Sequence, residues 1–592
     1  MDDAYLVIFK EPKAGSNIVL VPLETLISLY AMCYMKCSSI ALKLVLKAQE
    51  GEVPFEVHLP KCSFEVVAEL QVPVAVQDCV LPALLVCSPI GSVCVAGLSA
   101  VLRQIVKAEE CIHPSLNFLL GFREGCLSAC AESSLWTKFC EVDVPKATKE
   151  YMLKVESSVT DEFILPADLA RFERHMEQPL RIHNIQKQRQ DFAKGVANLG
   201  NFQEGFTFCS EITSATANPK AQELQHRFAE SHTLTLADII LFPCIYIIFE
   251  SAKEIPLQNH VPLVKQWLER MLCQNNVEES AKIIIMKSMP YVDYKLCSLP
   301  HVPYQSLYKS DPKRYKPRAR LFTKQDEIEA SLKLVSEMGV TADWSMKPFG
   351  ADMECDWSLV PLDAHPLGGS LPVSRSERKQ QQLENLVKAV LKVAKPGKTI
   401  VDFCSGSGHL GIVLAYFLPL CRIILLDNKD ESLRRARDRV NRLGLSNITV
   451  YQCNLDYYKG EFDIGVSLHA CGVATDLVIQ RCLEQGAVFI CCPCCYGGLS
   501  DNHIVTYPRS MLFKNSPMTV REYLVIGHSA DQTHGEDNSK TEQGKQCMGI
   551  IDMDRCIQAK ENGYEVYLSK LVPETCTPKN NLLVGLPEAF TL

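Results

Sequence analysis

The 592-residue chain is short of the features that would send it to a membrane or spread it along a nucleic acid. It has no long apolar run. The strongest, Ile239 to Phe249, is interrupted by Pro243 and falls short of the roughly 20 residues a membrane span needs. It has no basic excess: the net charge is −8 and the pI near 6.0, which argues against a protein that coats DNA. The start, Met1-Asp2-Asp3-Ala4, lacks the basic end of a secretion signal. The 27 cysteines therefore read as reduced thiols, and the expected location is cytoplasmic. No internal repeat is evident. The remaining composition, 22% charged and 47% hydrophobic, is that of an ordinary globular protein, and the length allows about two to four domains.

The most informative stretch runs from Val401 through Asp402-Phe403-Cys404-Ser405-Gly406-Ser407-Gly408-His409-Leu410-Gly411. A β-prone run leads into an acid, a Gly-x-Gly-x-x-Gly turn and a helical pattern stopped by Pro419. This is the opening of a nucleotide-binding α/β unit. A second strand, Arg422 to Leu426, ends in Asp427, where a carboxylate can accept both hydroxyls of a ribose. NAD and S-adenosylmethionine both fit such a site.

Three features favour S-adenosylmethionine. Asp402 stands four residues before Gly406, whereas pyrophosphate sites bring the glycines closer to the strand. A third strand, Ile448 to Gln452, is followed by Asn454 and Asp456, suited to an adenine amino group. A fourth, Phe462 to Gly472, ends in polar groups. The expected cofactor residues are Asp402, Gly406, Gly408, Asp427, Asn454 and Asp456. A side chain at Gly408 is expected to fill the cofactor's space.

His469 and Cys471 sit at the end of the fourth strand, where a methyl acceptor would enter. An imidazole there could hold or deprotonate an acceptor nitrogen. The fifth strand, Ala487 to Cys492, ends in Pro493-Cys494-Cys495-Tyr496-Gly497. Three readings compete. Zinc would need four ligands, and Cys491, Cys492, Cys494 and Cys495 are crowded on a strand whose neighbours point to opposite faces. A nucleophilic Cys494 thiolate would need an activating base. A tight turn with Tyr496 stacking on a flat substrate is the favoured reading. No metal is expected. The arginines of the helix after the second strand, Arg434, Arg435, Arg437, Arg439 and Arg442, read as a solvated face.

Upstream, residues 1–105 mix short strands with a helix read over Leu23 to Leu46. The run Val80-Leu81-Pro82-Ala83 followed by a strand and a helix suggests a thioredoxin-like domain, with Pro82 either cis or trans. Residues 106–295 read as helical, with a polar insertion near 171–221. They carry a Thr235-Leu236-Ala237-Asp238 capping box before the apolar Ile239-Ile240-Leu241-Phe242. Residues 296–375 read as a linker with a basic cluster, Lys313 to Arg320, and 376–592 as a Rossmann-like, doubly wound domain opened by a helix from Ser376 to Val393.

The chain resembles the glutathione S-transferase C-terminal domain-containing proteins. The resemblance is carried by Leu234 to Pro243, Arg378-Lys379-Gln380-Gln381-Gln382-Leu383, Val401 to Ile412, Leu468-His469-Ala470-Cys471-Gly472 through Asp476, Cys492 to Gly497, and Pro578-Lys579-Asn580-Asn581. It implies a thioredoxin-like and all-helical, glutathione-transferase-like front end fused to a methyltransferase-like domain. Gly97-Leu98 stand where glutathione transferases carry a Gln/Glu-Ser anchor, so glutathione conjugation is not expected, and the front end reads as a partner-binding module. The function expected is S-adenosylmethionine-dependent methyl transfer with RNA as one acceptor class. A non-catalytic scaffold is the alternative. Acceptor and oligomeric state stay open.

Overall fold

Short apolar runs in the C-terminal half, rich in Ile, Val and Leu, form strands that are buried at successive positions, as strands covered on both faces are. The computed structural model describes residues 2–12, 16–60, 63–88, 91–157, 162–180, 226–252, 257–286, 296–304, 307–308, 324–369, 372–534 and 538–590. The protein is mixed α/β and divides into two units, Met1–Val86 with Val95–Pro312, and Cys87–Cys94 with Lys313–Leu592. Most of the polar insertion and the whole basic cluster lie outside the described residues.

In the first unit the strand Asp2–Ile8 pairs parallel with Ile40–Leu46 and antiparallel with Ala83–Ser88, and Phe64–Ala68 adds parallel to Ile40–Leu46. The helix read over Leu23 to Leu46 is two elements. Helix Leu23–Met35 stops at Lys36, which is left-handed (φ 54°), and Ile40–Leu46 is a strand. Two serines break the helical pattern. Their backbone N–H groups, those of Ser38 and Ser39, are held by Glu109 Oε1 at 2.9 and 2.7 Å. The Leu81–Pro82 peptide is cis. Helix Leu236–Ser251 is buried almost throughout. Its Asp238 accepts from Thr235 N (2.8 Å), Ala229 N (2.7 Å) and Trp267 Nε1 (2.8 Å). This carboxylate caps the helix and also ties it to two other segments. The span read as a linker holds a helix, Gln325–Glu337, with Ile328 and Val335 buried.

The second unit carries the glycine-rich turn. Its strands are β1 (Thr399–Phe403), β2 (Arg422–Asp427), β3 (Ile448–Gln452), β4 (Ile464–Cys471), β5 (Val488–Cys494), β6 (Tyr564–Lys570) and β7 (Asn581–Pro587). Their order is β6-β7-β5-β4-β1-β2-β3. β1 to β5 run parallel, β7 is antiparallel to β5, and β6 is antiparallel to β7. The helices are α1 (Val373–Val393), α2 (His409–Phe417), α3 (Asp430–Leu443), α4 (Val473–Gln485), α5 (Val520–Ser529) and α6 (Ser539–Glu561). The strand order reverses between β1 and β4. A crevice at such a point, outside the carboxyl ends of the strands, is where open α/β sheets bind ligands.

Candidate functional site

β1 delivers Asp402 and the glycine turn, and β2 delivers Asp427. Asp427 ties the two strand ends together: its Oδ2 accepts from Gly406 N and its Oδ1 from Lys429 N, both at 2.9 Å. A carboxylate has about four acceptor positions, so two remain. Gly406 is left-handed (φ 55°), and a Cβ built there would meet nothing within 4 Å. The backbone therefore lies open to a ligand on that side. Beside it the buried Ser405 Oγ has no hydrogen-bond partner among the described residues, and neither has Asp456 Oδ1 at the β3 end.

The steric expectation for Gly408 is corrected. A Cβ there would lie 3.0 Å from Ala436 Cβ and 3.0 Å from Leu425 Cδ1. It would fill the space between the turn, α3 and β2, not the ligand's space. Gly408 is required by its left-handed backbone (φ 69°) and by this packing.

Asp402 points back into the fold. It is 2% exposed, and its Oδ2 accepts from Gly411 N at 2.9 Å. Burial pushes its carboxyl up to about 7, against the pull of the Gly411 N–H and the Lys379 charge. It braces the turn at the start of α2.

The solvated face expected of the arginine-rich helix holds only in part. Arg439 of α3 is buried, and it donates to Asp363 O at 2.8 Å and Ser407 O at 3.1 Å. Its Nη1 also lies 3.3 Å from His409 Nδ1. It clamps the glycine turn from below. Burial holds its guanidinium at about 10, and burial followed by the Arg439 and Lys379 charges holds His409 at about 3.

At the β3 end, Asn454 Oδ1 lies 3.5 Å from Asn428 Nδ2, and Asp456 Oδ2 is 3.3 Å from His503 Nε2. Two residues of α1, unassigned by the sequence reading, join the site. Burial holds the Lys379 ammonium below the usual lysine range, against the pull of the Asp402 carboxylate. Gln382 donates Nε2 to Cys576 O at 2.8 Å, which turns its Oε1 toward His469 Nε2 at 2.9 Å. An amide oxygen only accepts, so His469 Nε2 carries the proton and Nδ1 keeps its lone pair. Burial and the Lys379 charge hold this imidazole down at about 4.

The register between β4 and β5 shifts at this point. Leu468 pairs with Cys492, but Cys471 pairs with Cys494. The extra residue is taken up as a bulge with His469 left-handed (φ 68°). Cys471 Sγ thereby lies 3.3 Å from Cys494 Sγ, and Cys495 Sγ is 3.4 Å from Cys471 Sγ. The hydrogen bond from Cys494, helped by Cys495, draws Cys471 down to about 6 and drives Cys494 up.

The stacking role of Tyr496 is corrected. Tyr496 is 1% exposed, and its hydroxyl donates to Asp552 Oδ2 at 2.7 Å. Arg555 and Lys579 both lie over its ring, 5.5 and 5.4 Å from the centroid, so it offers no open face to a substrate. It belongs to a buried network. Arg555 binds Asp476 Oδ2 at 2.6 Å and Asp552 Oδ1 at 2.8 Å, Tyr507 donates to Asp476 at 2.7 Å, and Asn581 to Asp552 at 2.6 Å. This network joins the turn after β5 to α4, α6 and β7.

An open glycine turn braced by two carboxylates, on a parallel sheet with an antiparallel β7, defines a methyltransferase-like domain. A family described as a methyltransferase domain matches residues 378–502. A homologue of glutathione S-transferase C-terminal domain-containing protein from Drosophila pseudoobscura pseudoobscura is 43% identical over 507 residues, 84% of this chain and 83% of its own. The Homo sapiens protein of that name is 33% identical over 630 residues, 96% of each chain. The chain belongs to the family of glutathione S-transferase C-terminal domain-containing proteins. A shorter match, 29% identical over 79 residues, is to ribosomal RNA small subunit methyltransferase G of Thermotoga sp. (strain RQ2), covering 13% of this chain and 35% of that one. No described helix is long and apolar enough to cross a membrane.

Proposed function

We propose that the second unit is an S-adenosylmethionine-dependent methyltransferase. The observation that carries this reading is the pair formed by Gly406 and Asp427: a glycine with open space above it, fixed by a carboxylate that keeps acceptor positions for a ribose. The cofactor would supply a methyl group activated on a sulfonium. Asp427 would accept from its ribose, and Asn454 and the unpartnered Asp456 Oδ1 from its adenine amino group. The buried Lys379 ammonium would face its carboxylate. The acceptor side would be His469, Cys471 and Cys494, with the His469 Nδ1 lone pair ready to hold or take a proton. This chain's main contribution would be alignment of the acceptor.

The acceptor class we propose is RNA. The 79-residue likeness to a ribosomal RNA methyltransferase supports it. The first unit, with a mixed sheet and apolar helices, is proposed to be thioredoxin-like with a glutathione-transferase-like helical half that binds a protein partner. Loss of glutathione binding is supported by Glu141. Its Oε1 takes the Ser99 N–H at 3.2 Å, so a carboxylate of the chain itself caps the helix Leu98–Glu110 where a ligand's would be needed.

Methyl transfer from labelled cofactor tests the reading, using RNA and protein extracts from cells lacking this protein. Label in RNA supports it. Label only in protein would change the acceptor class, and label in neither, with cofactor bound, would overturn catalysis.

A further inference from the structure

We infer that Cys471, Cys494 and Cys495 form a zinc-binding site at the ends of β4 and β5. Their sulfurs all lie within 4.8 Å of one another, and they are the only such group of potential ligands among the described residues.

Two local backbone features create the cluster, and neither is needed to continue the sheet. The bulge at His469 moves Cys471 into register with Cys494. Cys495 then adopts a left-handed conformation (φ 52°, ψ 51°). Neighbouring residues of a strand point to opposite faces, and this turn removes that obstacle, so the Cys494 and Cys495 thiols converge. Left-handed non-glycine conformations of this kind cluster at functional sites. Cys491 and Cys492, the other candidates on this strand, are not part of the cluster. Cys492 Sγ donates to Lys579 O at 3.5 Å, and both are fully buried.

The spacing suits zinc. A zinc–sulfur bond of about 2.3 Å puts the sulfurs of a tetrahedral site about 3.8 Å apart. The observed 3.3 and 3.4 Å need only a small outward shift. Cys494 lies at the buried side while Cys471 and Cys495 are exposed. An ion held by the three would keep a fourth position directed outward, as zinc sites with three protein ligands do for water or substrate. Three thiolates leave one net negative charge on the complex. Binding replaces each remaining S–H bond with a zinc–sulfur bond and releases that proton to solvent. No electron is transferred.

The full chain, purified reduced from zinc-supplemented cells, tests this independently of methyl transfer. Metal analysis should find zinc bound to this cluster. Cobalt(II) exchanged into it should show the sulfur-to-metal charge-transfer band and the strong visible bands of a tetrahedral thiolate site. Cys471→Ser and Cys495→Ser alter exposed side chains and should leave the fold intact, checked by thermal melting. Each should weaken zinc at least tenfold in competition with a chromophoric chelator, while Cys111→Ser, at an exposed thiol outside the cluster, should not. The inference is overturned if the folded, reduced protein shows no thiolate–cobalt band, or if both variants keep wild-type zinc affinity. A Cys471–Cys494 or Cys471–Cys495 disulfide in the fresh protein, with no metal uptake after reduction, would overturn it as well.

Discussion

Gln382 Oε1 accepts the Nε2 proton of His469 at 2.9 Å, and this one bond decides which imidazole nitrogen is free. If Nδ1 serves the acceptor, Gln382→Leu should lower the rate of methyl transfer at least tenfold, about 1.4 kcal/mol. S-adenosylmethionine affinity should stay within about threefold, under roughly 0.7 kcal/mol. His469→Ala should show the same split more severely. Cofactor affinity falling together with rate would instead place His469 on the cofactor side.

Tyr496 is expected to act through stability. Tyr496→Phe removes a buried hydrogen bond to the Asp552 carboxylate, worth about 1.5–3 kcal/mol. Chemical denaturation should register that loss while cofactor affinity stays within threefold. Arg555→Met leaves the Asp476 and Asp552 carboxylates without their shared partner and should cost more, about 3–5 kcal/mol. Full stability in Tyr496→Phe with lost methyl transfer would instead give the Tyr496 hydroxyl a catalytic role.

Asp402 predicts a pH effect. Its folded-state pKa of about 7 lies above the ordinary carboxylate value of 3.8, chiefly through burial. The folded state therefore holds the proton more tightly. The resulting stability is fully present below about pH 4 and is lost as pH rises through 7. Asp402→Asn keeps an acceptor for Gly411 N but does not titrate. Its melting temperature should rise relative to wild type between pH 5 and 8, measured without cofactor. Parallel curves would show that Asp402 is ionised in the fold throughout.

Glu141 and Gly97-Leu98 together predict that glutathione resin does not retain the full chain. Specific retention, released by free glutathione, would show that the Ser99 N–H is accessible despite Glu141.

The parts of the site encoded by adjacent residues were legible in the sequence. The turn from Asp402 to Gly411 and the acid ending the next strand sit within one β-α-β stretch, where spacing alone implies geometry. What could not be read depends on distant partners. Tyr496 looks available beside its cysteines, and only Asp552, 56 residues on, shows that it is buried. Arg439 looks solvated on an arginine-rich helix until the carbonyls of Asp363 and Ser407 fold over it. The convergence of Cys471 on Cys494 needs a bulge, a property of two paired strands and not of either one. Lys379 and Gln382 were visible only as polar residues on an amphipathic helix. The strand Ile40–Leu46 hides inside a helical pattern, because the turn at Ser38 and Ser39 is held by Glu109 from another segment.

The most direct test is calorimetric titration of the full chain with S-adenosylmethionine, wild type beside Asp427→Ala. The variant removes the carboxylate that fixes Gly406 and would accept from the ribose. Wild type should bind, and Asp427→Ala should bind at least tenfold more weakly, about 1.4 kcal/mol. No binding to the folded wild type, or equal binding to both, would contradict the assignment of this turn to the cofactor.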